Sequence, residues 1–295
     1  MKIKELYHQG KTVISLEVFP PKKGQGTLES ITDKLDAFSK LEPDFISVTY
    51  GALGTSIGNT CGIAANVKNN YGIESLAHLT CLASTEEQIR MVLDRLKANK
   101  VQNLLALRGD IPEGYLEDSG EKRPFRHASD LIAFIKGEYG DDFCIGAACY
   151  PEGHIEARNL DTDIEHLKRK VDMGADFLIS QLFYDNEQFY RFQEKIAKAG
   201  ITVPLSAGIM PVVNAKQIHN IVTLCGATLP RKFIRIMDKY DENPAALTEA
   251  GIMYGIDQII DLVTNDVEGI HLYTMNRPDV PKKICENISH ILKRG

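Results

Sequence analysis

An acid inside an apolar strand is the strongest chemical signal in this chain. Glu17 lies in the run Val13–Phe19, which Pro20 and Pro21 stop. Alternation along an extended strand puts Ile14, Leu16 and Val18 on one face and Val13, Ser15, Glu17 and Phe19 on the other. Proline cannot donate to a sheet ladder, so the diproline places Glu17 near the C-terminal mouth of its strand. A carboxyl in such surroundings is costly unless it is paired or has a task. Two readings are open. Glu17 is a carboxylate paired with an interior Arg or Lys, or an acid kept protonated by poor solvation and used to donate a proton.

Other segments carry groups of the same kind. Arg108-Gly109-Asp110 follows the apolar run Leu104–Leu107. Gly109 permits close backbone approach to a ligand, Asp110 can accept from ring N–H groups, and Arg108 can grip a phosphate with two bonds. An Arg–Asp pair at a turn explains the same tripeptide. His154 shares a loop with Glu152 and Glu156 and reads as a ligand contact, whereas His78, taken alone, reads as a satisfied core histidine. Lys168-Arg169-Lys170 is a solvated helix face or, beside Asp163, a cluster that neutralises a pyrophosphate. The six cysteines contain no C-x-x-C pair and read as reduced thiols. Cys144 and Cys149 lack the Cys and His company that zinc needs, so no metal site is expected. Gly10-Lys11-Thr12 is not a P-loop, because Glu5 stands where that motif needs its first glycine.

These groups need a scaffold that brings them together. Strand-like segments recur at Val13–Phe19, Asp44–Tyr50, Glu74–Thr80, Asn103–Leu107, Phe143–Cys149, Asp176–Gln181, Val203–Ala207 and Gly269–Thr274. Amphipathic segments follow most of them. Ile89, Val92, Leu93 and Leu96 form one stripe of a helix over Thr85–Asn99, and Ile164, Leu167, Lys168 and Val171 fall at helical spacing within Asp163–Gly174. Leu229–Asp266 contains Pro230 and Pro244, which predicts two or three helices before the last strand. The pattern predicts an α/β fold, a single (β/α)8 TIM barrel over residues 1–295, with no linker. An open doubly wound sheet would want a glycine-rich turn after its first strand, and Gly24 and Gly26 behind a diproline make a poor one.

A composition of 43% hydrophobic and 25% charged residues suits a globular protein with ample core. The net charge of −6 argues against a dedicated binder of nucleic acid or anionic membrane. The stretch Met1–Lys11 is too polar for a signal peptide and no apolar run approaches a membrane span, so a cytoplasmic location is expected.

In a barrel, chemistry is carried by the C-terminal ends of the strands and the loops after them. Those positions hold Glu17; Thr49 to Gly51; His78 and Thr80; Arg108 to Asp110; Tyr150 to His154; Gln181; Gly208 to Pro211; and Tyr273 to Arg277. The N-terminal ends show much less polarity. This is the lining expected of an active site.

The same motifs resemble those of the methylenetetrahydrofolate reductases, which are flavin-containing (β/α)8 barrels. The matching pieces are Leu16–Pro21, Val48–Gly51, Ala77–Thr80, Ala106–Asp110, Ala128–Asp130, Tyr150–Glu152 with His154, Leu167–Asp172, Gly208–Pro211 and Tyr273–Arg277. They occur in order and span nearly the whole chain. The resemblance implies FAD at the barrel mouth, contacted by Thr49, Tyr50, His78, Leu107, Arg108, Gly109, Asp110, Ala128, Tyr150, His154, Asp163, His166, Arg169 and Lys170. It implies folate contacts from Glu17, Asp110, Gln181, Gln217, Tyr273 and Arg277. The family holds FAD without a Rossmann fingerprint.

The implied reaction is hydride transfer from reduced flavin to 5,10-methylenetetrahydrofolate, giving 5-methyltetrahydrofolate for methionine biosynthesis. The bridged ring must open first, which requires protonation at N10, and Glu17 is the implied general acid. Asp110 is the second catalytic residue, binding the pterin and tuning the flavin electrostatically. In the family, pyridine nucleotide and folate use the same flavin face in turn. His127 and Ile221 depart from the usual aromatic residues, which leaves the electron donor open: NAD(P)H directly, or a partner subunit. A homo-oligomer or a hetero-complex follows accordingly. The chain is expected to carry the catalytic barrel without an added regulatory domain. Two other functions compete: a flavin-free, pterin-binding methyltransferase barrel, and a subunit that turns over only with an electron-transfer partner.

Overall fold

Strand β1 (Val13–Val18) pairs in parallel with β2 (Phe45–Val48) on one side and with β8 (Gly269–Tyr273) on the other. The second pairing closes the sheet. Between them run β3 (Glu74–Thr80), β4 (Asn103–Leu107), β5 (Cys144–Cys149), β6 (Phe177–Ser180) and β7 (Leu205–Ile209), each bonded to the next in chain order. The computed structural model describes residues 1–21, 28–50, 57–111, 124–214, 218, 222–223 and 225–292. Among the described residues, helices with defined bounds are α1 (Leu28–Ser39), α2 (Ile57–Asn70), α3 (Glu86–Ala98), α4 (Ala128–Tyr139), α5 (Leu160–Asp172), α6 (Asn186–Lys198), α7 (Arg231–Tyr240), α8 (Pro244–Thr264) and α9 (Asp279–Leu292). The expected (β/α)8 barrel is the fold, and α7 and α8 are its extra helices before β8.

The face assignment for β1 holds. Leu16 and Val18 join the shell between strands and helices, together with Ile46, Val48, Ala77 and Leu79. Val13 joins a separate cluster with Phe45, Leu76, Leu105 and Phe177, inside the ring of strands. Helix α3 shows how a helix is tied to this shell. Ile89, Val92, Leu93 and Leu96 are all buried, and full burial of each contributes about 1.5–3 kcal/mol. Gln88 donates its backbone N–H to Thr85 Oγ1 at 3.3 Å, and Thr85 N–H donates to Gln88 Oε1 at 2.9 Å, closing a capping box.

Several expected boundaries move, two of them for reasons that local chemistry explains. The helix placed at Asp163–Gly174 begins at Leu160, because Asn159 caps it by accepting from Thr162 N–H at 2.9 Å. The strand placed at Val203–Ala207 is Leu205–Ile209: Pro204 has no N–H to give to the ladder, though its carbonyl accepts from Leu178 at 2.7 Å.

The N-terminal segment closes the floor of the barrel. A 3-10 turn over Ile3–His8 buries Ile3 and Leu6 against the interior cluster. Ile3 N–H donates to Asn103 Oδ1 at 2.8 Å, the Tyr7 hydroxyl meets Ser206 Oγ at 2.8 Å, and Lys4 pairs with Asp176 at 2.7 Å.

Candidate active site at the barrel mouth

Glu17 is 6% exposed and points into the ring of strands. Its Oε2 lies 3.6 Å from His78 Nε2 and 3.6 Å from His271 Nε2. Register explains the grouping: Glu17 is level with Tyr273 across the β1–β8 seam and with Ser47 across the β1–β2 seam, while Ser15 is level with His271. Ser15 Oγ is 2.8 Å from His271 Nδ1, and Ser47 Oγ is 3.3 Å from His78 Nε2. Burial, partly offset by Glu17, pushes His78 down from 6.5 to about 4, so its ring is neutral at physiological pH. The partners of Glu17 are therefore imidazoles, where an ion pair with Arg or Lys was the simple structural expectation.

The loop after β8 fixes the backbone that carries Glu17. Thr274 donates its hydroxyl to the Glu17 carbonyl at 2.6 Å. Asn276 accepts from Phe19 N–H at 2.9 Å and donates to the Phe19 carbonyl at 2.8 Å. Met275 and Asn276 both adopt positive φ, at 50° and 56°, which turns the loop back over the end of β1. Tyr273 donates its hydroxyl to the Ser180 carbonyl at 2.7 Å, beside Gln181. Burial, then the Glu17 charge, holds the Tyr273 phenol well above its ordinary value. Gly208 makes room for that ring: a Cβ there would meet Ser180 O at 2.2 Å and the Tyr273 ring at 2.8 Å.

Beside this centre, a cavity opens between the ends of β4 and β5, the first turn of α4 and the length of α5. Leu107, Arg108, Ala128, Tyr150, His154, Asp163, His166, Arg169 and Lys170 line it, with His127 and Glu156 among their neighbours. These are nine of the positions proposed from sequence to hold a dinucleotide. Lys170 donates to the Ala148 carbonyl at 2.6 Å and sits 6.0 Å above the Tyr150 ring. Burial holds its ammonium below the usual lysine value. Arg108 forms a two-bond pair with Glu156, at 2.5 and 2.9 Å. Asp163 is buried in the first turn of α5, where its Oδ2 accepts from His154 N–H at 3.1 Å. Tyr150 packs edge-on to His154 with centroids 4.7 Å apart, and burial lowers His154 from 6.5. Gly109, at φ 87°, lies against Thr80, which a Cβ would approach to 2.9 Å. Three cations beside the amino terminus of α4 suit a pyrophosphate, so the residues present fit an FAD diphosphate.

The remaining positions divide. Thr49 and Tyr50 are half-buried at the end of β2, and Gly109 and Asp110 continue the β4 end, with Asp110 exposed. His78 lies deeper than the cavity lining, against Glu17. Gln181 is half-buried at the end of β6, and its Oε1 accepts from Leu182 N–H at 2.9 Å. Arg277 pairs with Asp279 at 2.8 Å, on the outer side of the β8 loop. Gln217 and Ile221 lie outside the described residues. The sequence reading missed His271, Ser47 and Asn276. His271 had a signal, since alternation along β8 puts it on the face of Tyr273. All six cysteines are free thiols. Among the described residues no cluster of His, Cys, Asp and Glu is arranged to hold a metal ion, and no helix is long and apolar enough to cross a membrane.

A closed parallel barrel with a buried acid at the carboxyl ends of its strands, beside a cationic cavity, is the build of a barrel enzyme. The chain belongs to the methylenetetrahydrofolate reductase family, whose model it matches over residues 2–289. It is 34% identical to the 5,10-methylenetetrahydrofolate reductase of Escherichia coli, over 95% of this chain and 92% of that one. It is 35% identical to a maize methylenetetrahydrofolate reductase (NADH), over 93% of this chain and 48% of the relative. The chain thus spans about half the length of the plant relatives it matches. Among solved structures, a Clostridium thermocellum protein described as binding two copies of 5-methyl-5,6,7,8-tetrahydrofolic acid superposes with TM-score 0.69 at 14% identity, covering 99% of this chain and 100% of that one. A dihydropteroate synthase from Vibrio fischeri reaches 0.51 at 11% identity, over 95% and 94%. Both show likeness of fold.

Proposed function

We propose that this chain is a flavin-dependent reductase that converts 5,10-methylenetetrahydrofolate to 5-methyltetrahydrofolate. The observation that carries the reading is the placement of the buried Glu17 beside a cation-lined cavity in a chain that belongs to this family from residue 2 to 289. Arg108, Arg169 and Lys170 would hold the FAD diphosphate, and Tyr150 and His154 would shape the wall beside it. When bound, FAD supplies a hydride to the one-carbon unit.

This chain's own residues supply the rest. Tyr273, level with Glu17 across the β1–β8 seam, and Gln181, next to the carbonyl that Tyr273 meets, would orient the pterin. Asp110, exposed at the end of β4, would pair with its ring N–H groups. Glu17 would give its proton to N10 as the bridged ring opens, in a site where burial of the acid limits its contact with water. Maize and Arabidopsis relatives carry NADH in their names, which supports NADH as the reductant.

The test is anaerobic. Purified protein should carry, or take up, a yellow flavin with absorbance near ~450 nm. NADH should bleach it, and methylenetetrahydrofolate should restore the colour. Protein that stays colourless after FAD addition would exclude the flavin reading and favour a pterin-binding methyltransferase. Bleaching by reduced viologen but not by NADH would point to a partner subunit as donor.

A further inference from the structure

Two imidazoles lie 3.6 Å from the Glu17 carboxyl, His78 on β3 and His271 on β8, and the Tyr273 phenol on β8 lies within reach of its charge. Two of these three groups are poor proton partners. Burial holds His78 neutral, down to about 4, and its Nε2 is also shared with Ser47 at 3.3 Å. Tyr273 has committed its O–H to the Ser180 carbonyl.

His271 is placed differently, because its far nitrogen is anchored. Ser15 Oγ lies 2.8 Å from His271 Nδ1 and 3.3 Å from the Ile270 carbonyl. A serine hydroxyl has one hydrogen, and a carbonyl can only accept. When Ser15 donates to Ile270, its oxygen is left as the acceptor for Nδ1–H. That pins the ring and leaves Nε2, facing Glu17, as the nitrogen without a fixed proton. At 3.6 Å the Nε2–Oε2 gap is slightly beyond a hydrogen bond, and a shift of about half an ångström by the carboxyl closes it. Ser15 is fully buried and cannot reach a substrate, so the Ser–His–Glu order is not a hydrolase triad.

We propose that His271, anchored through Nδ1 by Ser15, is the positioning residue of Glu17 and shares one exchangeable proton with its carboxyl. The inference rests on the reading of Glu17 as the proton donor. In one arrangement the carboxylic acid donates to neutral Nε2, and in the other the imidazolium donates to the carboxylate; Nδ1–H stays on Ser15 in both. When N10 takes the proton, a carboxylate and a neutral imidazole remain, and one proton from solvent restores the pair.

The test is the oxidative half-reaction, followed by stopped flow in the flavin-loaded protein across neutral and alkaline pH. It compares wild type, Glu17→Gln, His271→Gln, the double variant and Ser15→Ala. A glutamine amide can donate to the carboxylate but cannot take its proton. His271→Gln should therefore slow flavin reoxidation by roughly ten- to a hundredfold and move its alkaline limb to lower pH. Flavin reduction by the donor and the KM for folate should stay within about twofold. The double variant should be no slower than Glu17→Gln alone, since both changes break one unit. Ser15→Ala should move the limb the same way by less, which covers the case of a His271 variant that does not fold. An unmoved pH profile in both single variants, or losses that multiply in the double variant, would overturn the inference while leaving Glu17 as the acid. Normal reoxidation in Glu17→Gln would instead overturn the reading of Glu17 itself.

Discussion

Thr274 donates its hydroxyl to the backbone carbonyl of Glu17 at 2.6 Å, so the last strand of the barrel holds the end of the first. Asn276 adds a bond in each direction to Phe19. The acid at the centre of the site is thus set by a loop more than 250 residues further along the chain, its contact with Thr274 spanning a separation of 257. This arrangement makes the geometry of Glu17 sensitive to side chains that touch no substrate.

Glu17→Gln should keep flavin binding and flavin reduction by NADH, because the cavity that fits FAD is lined by other residues. Reoxidation by methylenetetrahydrofolate should fall by roughly 10²- to 10⁴-fold, the usual contribution of a positioned proton donor. Stopped-flow traces of both half-reactions check this; equal rates in variant and wild type would remove the general-acid role.

Asn276→Ala removes two bonds to Phe19 and leaves a non-glycine residue at φ 56° without the side chain that favours it. We expect about 2–3 kcal/mol less stability by urea denaturation, since each lost bond is worth roughly 1 kcal/mol. Asn276→Gly relieves the backbone and should recover part of that loss, but not the folate turnover.

Glu156 occupies both terminal guanidinium nitrogens of Arg108, as a phosphate would. Glu156→Gln should release Arg108 and tighten FAD binding by several fold, whereas Arg108→Gln should weaken it by about tenfold or more. Titration of apoprotein with FAD, read by quenching of flavin fluorescence, distinguishes the two. Tighter binding in Arg108→Gln would show that the pair is not set against the cofactor.

His78 gives the fold an acid limit. Its folded value of about 4 lies below the ordinary 6.5, so the unfolded chain binds more protons between those pH values. The stabilisation is complete above pH 6.5 and is lost as pH falls towards 4, by about 3 kcal/mol in all. His78→Gln should flatten that part of the stability profile, measured as urea midpoints over the same range. A profile as steep as wild type would assign the acid limit to other groups.

Much of this was legible in the sequence because strand alternation is a strict rule. The split of β1 into an outer face of Leu16 and Val18 and an inner face of Val13, Ser15 and Glu17 follows from period two alone, as does the stripe of α3. The losses came where tertiary structure decides. Lys168-Arg169-Lys170 reads as one basic run, but helical rotation separates it. Lys168 pairs with Asp172 on the outside of α5, while Lys170 turns in towards Tyr150. Asn276 could not be read as a clamp, because its partner at Phe19 is remote in sequence. His271 was within reach, since the alternation that singled out Glu17 also puts His271 inside β8 with Tyr273. A histidine in an apolar strand simply reads as core until a carboxyl is placed opposite it.

The floor formed by Ile3–His8 has a consequence for traffic. Bonds from this turn to Asn103, Asp176 and Ser206 cover the amino-terminal end of the barrel among the described residues. Visitors that share the opposite end are served in sequence. On the proposed function, spent reductant must depart before folate can reach the same chamber, and the methylated product must depart before the next reductant arrives. Alternation of the two substrates is then a result of plumbing, and loosening the floor is the change that would let them overlap.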